Sequence, residues 1–231
     1  MTTDPKMQAA LAALELVENG MVLGIGTGST AAKFITALGE KVRAGLEVEG
    51  IPTSEASASA ARAAGIELIE PDESTVIDLA IDGTDEVDAA GHLIKGGGAA
   101  LLREKIIAHA AKRFVVIADD SKSVSLLGAF PLPIEVERFS FALTVRALRD
   151  TLAALGFDRV DLSLRSGPEG FVLTDGGNYI VDARLGRIED PAKLEKALNQ
   201  IPGVVESGLF INMADQVILG SASGVDIRSY K

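Results

Sequence analysis

The sequence predicts an α/β protein: a mostly parallel, Rossmann-like sheet flanked by helices, joined to a smaller α+β domain of ferredoxin-like character. Two observations carry this. Short apolar runs alternate with helix-period segments from residue 4 to residue 118, the pattern of successive βαβ units. After Phe130-Pro131-Leu132-Pro133 the order changes to strand, helix, three strands, helix and strand.

Residues 4–18 carry apolar side chains at helical spacing, and Asn19-Gly20 ends that helix. A buried-type strand at 21–25 leads through GTGST into a helix over 30–44. A strand at 47–51, TSEAS, an Ala-rich helix at 55–64 closed by Gly65, and a strand at 66–69 repeat the unit. Strand 76–81, helix 99–112 and strand 114–118 complete it. The small domain reads as a strand from Ile134, helix 144–155, strands 159–164, 170–174 and 178–183, helix 191–200, and a closing strand near 205. Asp175-Gly176-Gly177-Asn178 is a hairpin turn by composition. A strand at 216–219 is expected to return to the first domain, which gives domains 1–129 plus 206–231 and 130–205.

At 231 residues, 47% hydrophobic and 24% charged, the composition is that of a globular chain. Aromatics are only 4%, so the core must be built from Ala, Val, Ile and Leu. A net charge of −11 opposes a nucleic-acid partner but leaves room for a locally positive site that takes a small phosphorylated molecule. With no cysteine, thiol nucleophiles and thiolate metal sites are excluded. Residues 7–18 are amphipathic and acidic rather than a signal-peptide core, and no apolar run nears the roughly 20 residues that span a bilayer. The expectation is a cytoplasmic protein with no membrane partner.

Three loops follow strands at their C-terminal ends, the edge where open α/β sheets bind ligands: GTGST (26–30), DGTDEVD (82–88) and Asp119-Asp120-Ser121-Lys122. In GTGST, Gly26 and Gly28 allow tight backbone turns, the next helix offers free N–H groups, and Thr27, Ser29 and Thr30 add hydroxyls. No GK[ST] follows and Lys33 stands where a third glycine would complete GxGxxG, so neither a nucleoside triphosphate nor a dinucleotide is expected. The alternative is an ordinary capped glycine turn. DGTDEVD reads as a solvated acidic turn, an oxygen-ligand site for Mg²⁺, or a catalytic carboxylate set. Lys95 directly before Gly96, Gly97 and Gly98 favours catalysis, because a lysine beside such open backbone can meet an anionic oxygen closely. Glu104, inside an Arg-Glu-Lys triplet, reads as surface charge on its own, and His92 and His109 read as bystanders.

At these residues the chain resembles the ribose-5-phosphate isomerase, type A, family. GIGTGST, TSEAS, IDGTDEVD, IKGGGAALLREK, VVIADDSK and FPLPIEV occur in order at that family's spacing over nearly the whole chain. Thr84 departs from the Ala of many members. The resemblance implies interconversion of D-ribose 5-phosphate and D-ribulose 5-phosphate through a cis-enediol(ate), with no metal and no cofactor. It implies Glu104 as the base, Lys95 at the enediolate oxygen, Asp82 moving hydroxyl protons and Asp85 holding substrate hydroxyls. Gly83, Thr84, Gly96, Gly97 and Gly98 would line the substrate. Thr27, Gly28, Ser29 and Thr30 would grip the phosphate, with charge from Lys6 or Lys122. It also implies a homodimer or a dimer of dimers. Two other readings share this architecture: a non-catalytic sugar-phosphate sensor and a coenzyme A transferase-like enzyme with a glutamate nucleophile. The acidic balance opposes a DNA-binding sensor, and the chain length opposes a transferase.

Overall fold

A strand as apolar as Val22–Ile25 (β1) has no face for water, and residues 23–25 are buried. The computed structural model describes residues 4–157 and 159–230. They form two units, the first from Met1–Thr84, Arg103–Ser123 and Met213–Lys231, the second from Asp85–Leu102 and Val124–Asn212.

In the first unit β1 belongs to a seven-stranded sheet with Glu49–Pro52 (β2), Glu67–Leu68 (β3), Leu79–Asp82 (β4), Phe114–Asp119 (β7), Gln216–Ser221 (β15) and Gly224–Ser229 (β16). The spatial order is β16-β15-β7-β4-β1-β2-β3, and only the β15–β16 pair is antiparallel. The chain runs outward from β1 through β2 to β3, then returns to place β4 on the other flank of β1. Connections diverge at that point, which opens a crevice at the C-terminal ends of β1 and β4.

Helices Pro5–Leu14 (α1), Ser29–Arg43 (α2), Glu55–Ala64 (α3) and Leu101–Ala110 (α4) complete the unit, α4 from Arg103 onward. Asp4 caps α1 and Ser54 caps α3, each accepting an N–H of the first turn, and Gly65 ends α3 in the left-handed region at φ 83°. The first helix stops at Leu14, short of the expected 18, because Leu16 and Val17 donate three residues back rather than four. The tail holds a second strand, β16, which the sequence reading does not contain. Its alternating Val225 and Ile227 are exposed on the sheet edge, so it has no apolar run to mark it.

The second unit holds Leu132–Val136 (β8), Phe141–Ala154 (α5), Asp161–Leu164 (β9), Tyr179–Arg184 (β12), Pro191–Leu198 (α6) and Val204–Ser207 (β13). The strands form an antiparallel sheet in the order β13-β8-β12-β9, which with the helix order is the ferredoxin-like βαββαβ arrangement. A small hairpin of Ser166–Gly167 (β10) and Gly170–Phe171 (β11) sits between β9 and β12. One sheet face, with Ile134, Val136 and Val181, packs on Leu148, Leu152 and Leu194.

Residues 85–102 fall in this second unit rather than with the first domain as the sequence reading expects. The cause is strand pairing: Glu86–Val87 (β5), Leu93–Ile94 (β6) and Leu209–Phe210 (β14) form a three-stranded sheet, and the Lys95 amide donates to Gly208 O at 2.8 Å. Among the described residues, no helix is long and apolar enough to cross a membrane.

Candidate active site

Gly26 continues the β1 ladder by donating to Ile81 O at 2.9 Å. A Cβ on Gly26 would stand 2.1 Å from the Asp82 carboxyl carbon, so only glycine lets this carboxylate occupy the space beside the loop. Asp82 is buried at 3% exposure, and its Oδ1 accepts the amides of Thr27 at 2.9 Å and Gly83 at 2.7 Å. Its hydrogen bonds therefore tie the GTGST loop to the end of β4.

Thr27 is held on its other side by hydroxyls. Its Oγ1 lies 2.8 Å from Thr53 Oγ1, 2.8 Å from Ser54 Oγ and 3.1 Å from Ser57 Oγ, and Ser57 donates to Gly26 O at 2.7 Å. Thr53, Ser54 and Ser57 belong to TSEAS, which sequence reasoning used only as a family marker. Their placement after β2, at the same sheet edge, was the available signal.

Gly28 enters α2 at φ 104°, a conformation that favours glycine, and no side chain caps this helix. That differs from α1 and α3, whose first amides are taken by Asp4 and Ser54. The N-terminal amides of α2 thus face outward with the exposed Ser29 and the buried Thr30 in the same turn. Lys6 on α1 donates to Ser29 Oγ at 2.8 Å, which sets an ammonium at the mouth of this turn. Lys122 lies in the 3₁₀ turn Asp120–Lys122 that follows β7.

Glu104 is 4% exposed, not a surface charge. Leu101, Glu104, Ile107 and Ala108 are the buried positions of α4, at spacings of three and four, so Glu104 occupies a core-facing place in the helix. Helix α4 approaches β1 closely, since a Cβ on Gly24 would stand 2.4 Å from Ile107 Cγ2. Glu104 lines the same narrow crevice as Gly24, Gly26, Thr53 and Asp82. Two buried carboxylates thereby line one crevice at the sheet's branching point.

In the second unit, Lys95 is buried at 2% exposure, with Nζ 5.4 Å from the Phe210 ring centroid. Gly96 has φ 107°, and a Cβ on Gly97 would stand 2.6 Å from Asp85 Oδ1. The Gly97 amide donates to Asp85 Oδ2 at 2.8 Å, and Gly97 and Gly98 are exposed. These glycines therefore serve the turn itself and the approach of Asp85.

The acidic motif does not act as one cluster. Asp85 takes the Gly97 amide, Glu86 takes the amides of Gly128 and Phe130 at 2.6 Å each, and Asp88 takes those of Ala90 and His92 at 2.9 Å each. Among the described residues, no three His, Asp or Glu side chains gather as a metal site. Gly83 and Thr84 are half-buried just past β4.

Residues 49–224 match the family described as Ribose 5-phosphate isomerase A (phosphoriboisomerase A). The chain belongs to this family. Ribose-5-phosphate isomerase A of Rhodopseudomonas palustris (strain BisB18) is 55% identical over 223 residues, 96% of each chain. A solved D-ribose-5-phosphate isomerase in complex with phospho-erythronic acid is 42% identical with a TM-score of 0.89, covering 97% of both chains. The ribose 5-phosphate isomerase of Plasmodium falciparum is 32% identical with a TM-score of 0.92, covering 98% of this chain and 97% of its own. Ribose-5-phosphate isomerase A proteins are aldose–ketose isomerases, and both units of this chain lie within the coverage of these relatives.

Proposed function

We propose that this chain interconverts D-ribose 5-phosphate and D-ribulose 5-phosphate, the reaction of its family, with Glu104 as the base. The observation that carries the proposal is the buried Glu104 carboxyl in one crevice with Asp82, whose Oδ1 also accepts the Thr27 amide of the loop that leads into the uncapped α2.

Isomerisation needs a proton moved from C2 to C1 of the open-chain sugar. Glu104 removes the C2 proton, and the C–H electron pair forms the C1–C2 double bond as charge moves to the former aldehyde oxygen. Lys95 supplies the ammonium that stabilises that enediolate oxygen. Glu104 returns its proton to C1 while the C2 hydroxyl gives up its own, which leaves the ketone. Asp82 moves protons among the hydroxyls and assists ring opening, and Asp85 holds substrate hydroxyls. One carbon is oxidised as its neighbour is reduced, so these steps call for no external redox partner.

Thr27, Gly28, Ser29 and Thr30 bind the phosphate, which gains from the α2 dipole and from Lys6 beside Ser29. Lys122 adds charge, while Gly83, Thr84, Gly96, Gly97 and Gly98 line the sugar. Phospho-erythronic acid fits the same reading. Its carboxylate is a planar, two-oxygen anion like an enediolate, one carbon shorter than the pentose. A cytoplasmic place and a homodimer or dimer of dimers belong to this reading, and light scattering tests the second.

The test is direct assay of ribulose 5-phosphate formation, with and without EDTA. Turnover unchanged by EDTA is expected. Absence of turnover by the folded protein overturns the proposal.

A further inference from the structure

Arg165 lies between β9 and the β10–β11 hairpin, yet its side-chain contacts reach elsewhere in the second unit. Nε and Nη2 form a two-pronged pair with Asp182 of β12, at 2.9 and 2.5 Å. Nη1 donates to Gly96 O at 2.7 Å and to Gly97 O at 3.1 Å. Both charged side chains are largely withdrawn from water, at 15% and 19% exposure.

We infer that Arg165 is a positioning residue for the Lys95–Gly98 loop, acting on Asp85 through the peptide group between Gly96 and Gly97. This rests on the reading above, in which Lys95 and Asp85 act on the sugar. Gly96 O and the Gly97 N–H are the two ends of one peptide unit and point in opposite directions. A cation, Arg165, holds the oxygen end. An anion, Asp85, accepts the N–H end at 2.8 Å. A flip of that peptide breaks both bonds at once.

Such a restraint has a purpose in this loop. Glycines carry the largest conformational entropy, and this turn includes two consecutive exposed ones, Gly97 and Gly98. Left alone, the Gly96–Gly97 peptide has little to select one orientation, and Lys95 adjoins it in sequence while Asp85 accepts its N–H. The planar guanidinium suits the task because it satisfies Asp182 with one edge and the carbonyls with the other. A buried ion pair is weak evidence of stabilisation, since apolar residues of similar size often do as well. Gripping two carbonyls of a glycine loop is something an apolar pair does not do.

The test compares Arg165→Met and Arg165→Lys with the parent enzyme, alone and combined with Asp85→Ala. Arg165→Met is expected to lower kcat by about tenfold to a hundredfold, the scale of a small displacement of a catalytic group. Inhibition by inorganic phosphate, which reads the α2 turn, is expected to stay within about twofold. In the Asp85→Ala background, which removes the acceptor of the Gly97 N–H, the same change is expected to cost less than about threefold, because the relay already lacks its end. Arg165→Lys, which keeps the charge but not the fork, is expected to recover only part of kcat. If circular dichroism shows Arg165→Met unfolded, Arg165→Lys decides by the same readouts. A kcat within about twofold of the parent, or an undiminished effect in the Asp85→Ala background, overturns the inference.

Amide exchange of Gly97, followed by NMR, reads the relay without catalysis. Exchange at least about tenfold faster in the folded Arg165 variant supports it, and unchanged exchange overturns it. Should the parent enzyme itself not turn over ribose 5-phosphate, the functional reading fails while the exchange measurement still decides this one.

Discussion

The Thr27 amide donates to Oδ1 of Asp82 at 2.9 Å, joining the loop after β1 to the end of β4 where the sheet's connections diverge. One carboxylate therefore holds the loop that the proposed function assigns to the phosphate, and in that proposal it also acts on the sugar.

Asp82→Asn separates these tasks. The amide oxygen of asparagine still accepts from Thr27 and Gly83, so the fold is expected to persist with a melting temperature within a few degrees of the parent. The carboxylate proposed to move protons is gone, and on that proposal kcat is expected to fall by about 10²- to 10⁴-fold. Equal loss of fold and activity on melting and assay contradicts the separation.

Gly26→Ala tests the close approach of loop and carboxylate. The new methyl would meet the Asp82 carboxyl at 2.1 Å and its Cα at 2.5 Å, backbone that cannot turn away. Overpacking of this kind costs about 1–3 kcal/mol, which lowers the melting temperature of a chain this size by several degrees. Calorimetry of the purified variant checks it, and an unchanged melting temperature contradicts the geometry.

Much of this was legible in the chain. The βαβ alternation marks the parallel sheet because each strand is buried on both faces and reads as an unbroken apolar run. The edge strand β16 escapes because its outward Val225 and Ile227 break that signature. The three short strands β5, β6 and β14 have two residues each, too few for any periodicity. Glu104 is the instructive case. Reading the Arg-Glu-Lys triplet as local charge makes it surface. Reading positions 101, 104, 107 and 108 together makes it a carboxylate set in an apolar stripe, which marks a buried group. Arg165 carries no such mark, because its partners lie 17, 68 and 69 residues away.

Asp78 ties α4's far end to the sheet. Lys112 donates to it at 2.8 Å and the Val22 amide at 3.0 Å, and these bonds, Lys112 first, hold its carboxyl below the ordinary 3.8. A lowered folded value means the stabilisation is present above the ordinary pKa and is lost as pH falls through the lowered one. Asp78→Asn is therefore expected to melt a few degrees below the parent at neutral pH, for a loss of about 1 kcal/mol. As pH falls through that lowered value the two curves are expected to converge. A gap that stays constant into acid contradicts the assignment.

The central claim is that Glu104 carries the proton between C2 and C1, and Glu104→Gln measures it. The variant keeps the shape of the side chain and removes only its basicity. Ribulose 5-phosphate formation is expected to fall by about 10³-fold or more, while phospho-erythronic acid binds within about threefold of the parent. A Glu104→Gln variant that isomerises ribose 5-phosphate within about tenfold of the parent contradicts the account.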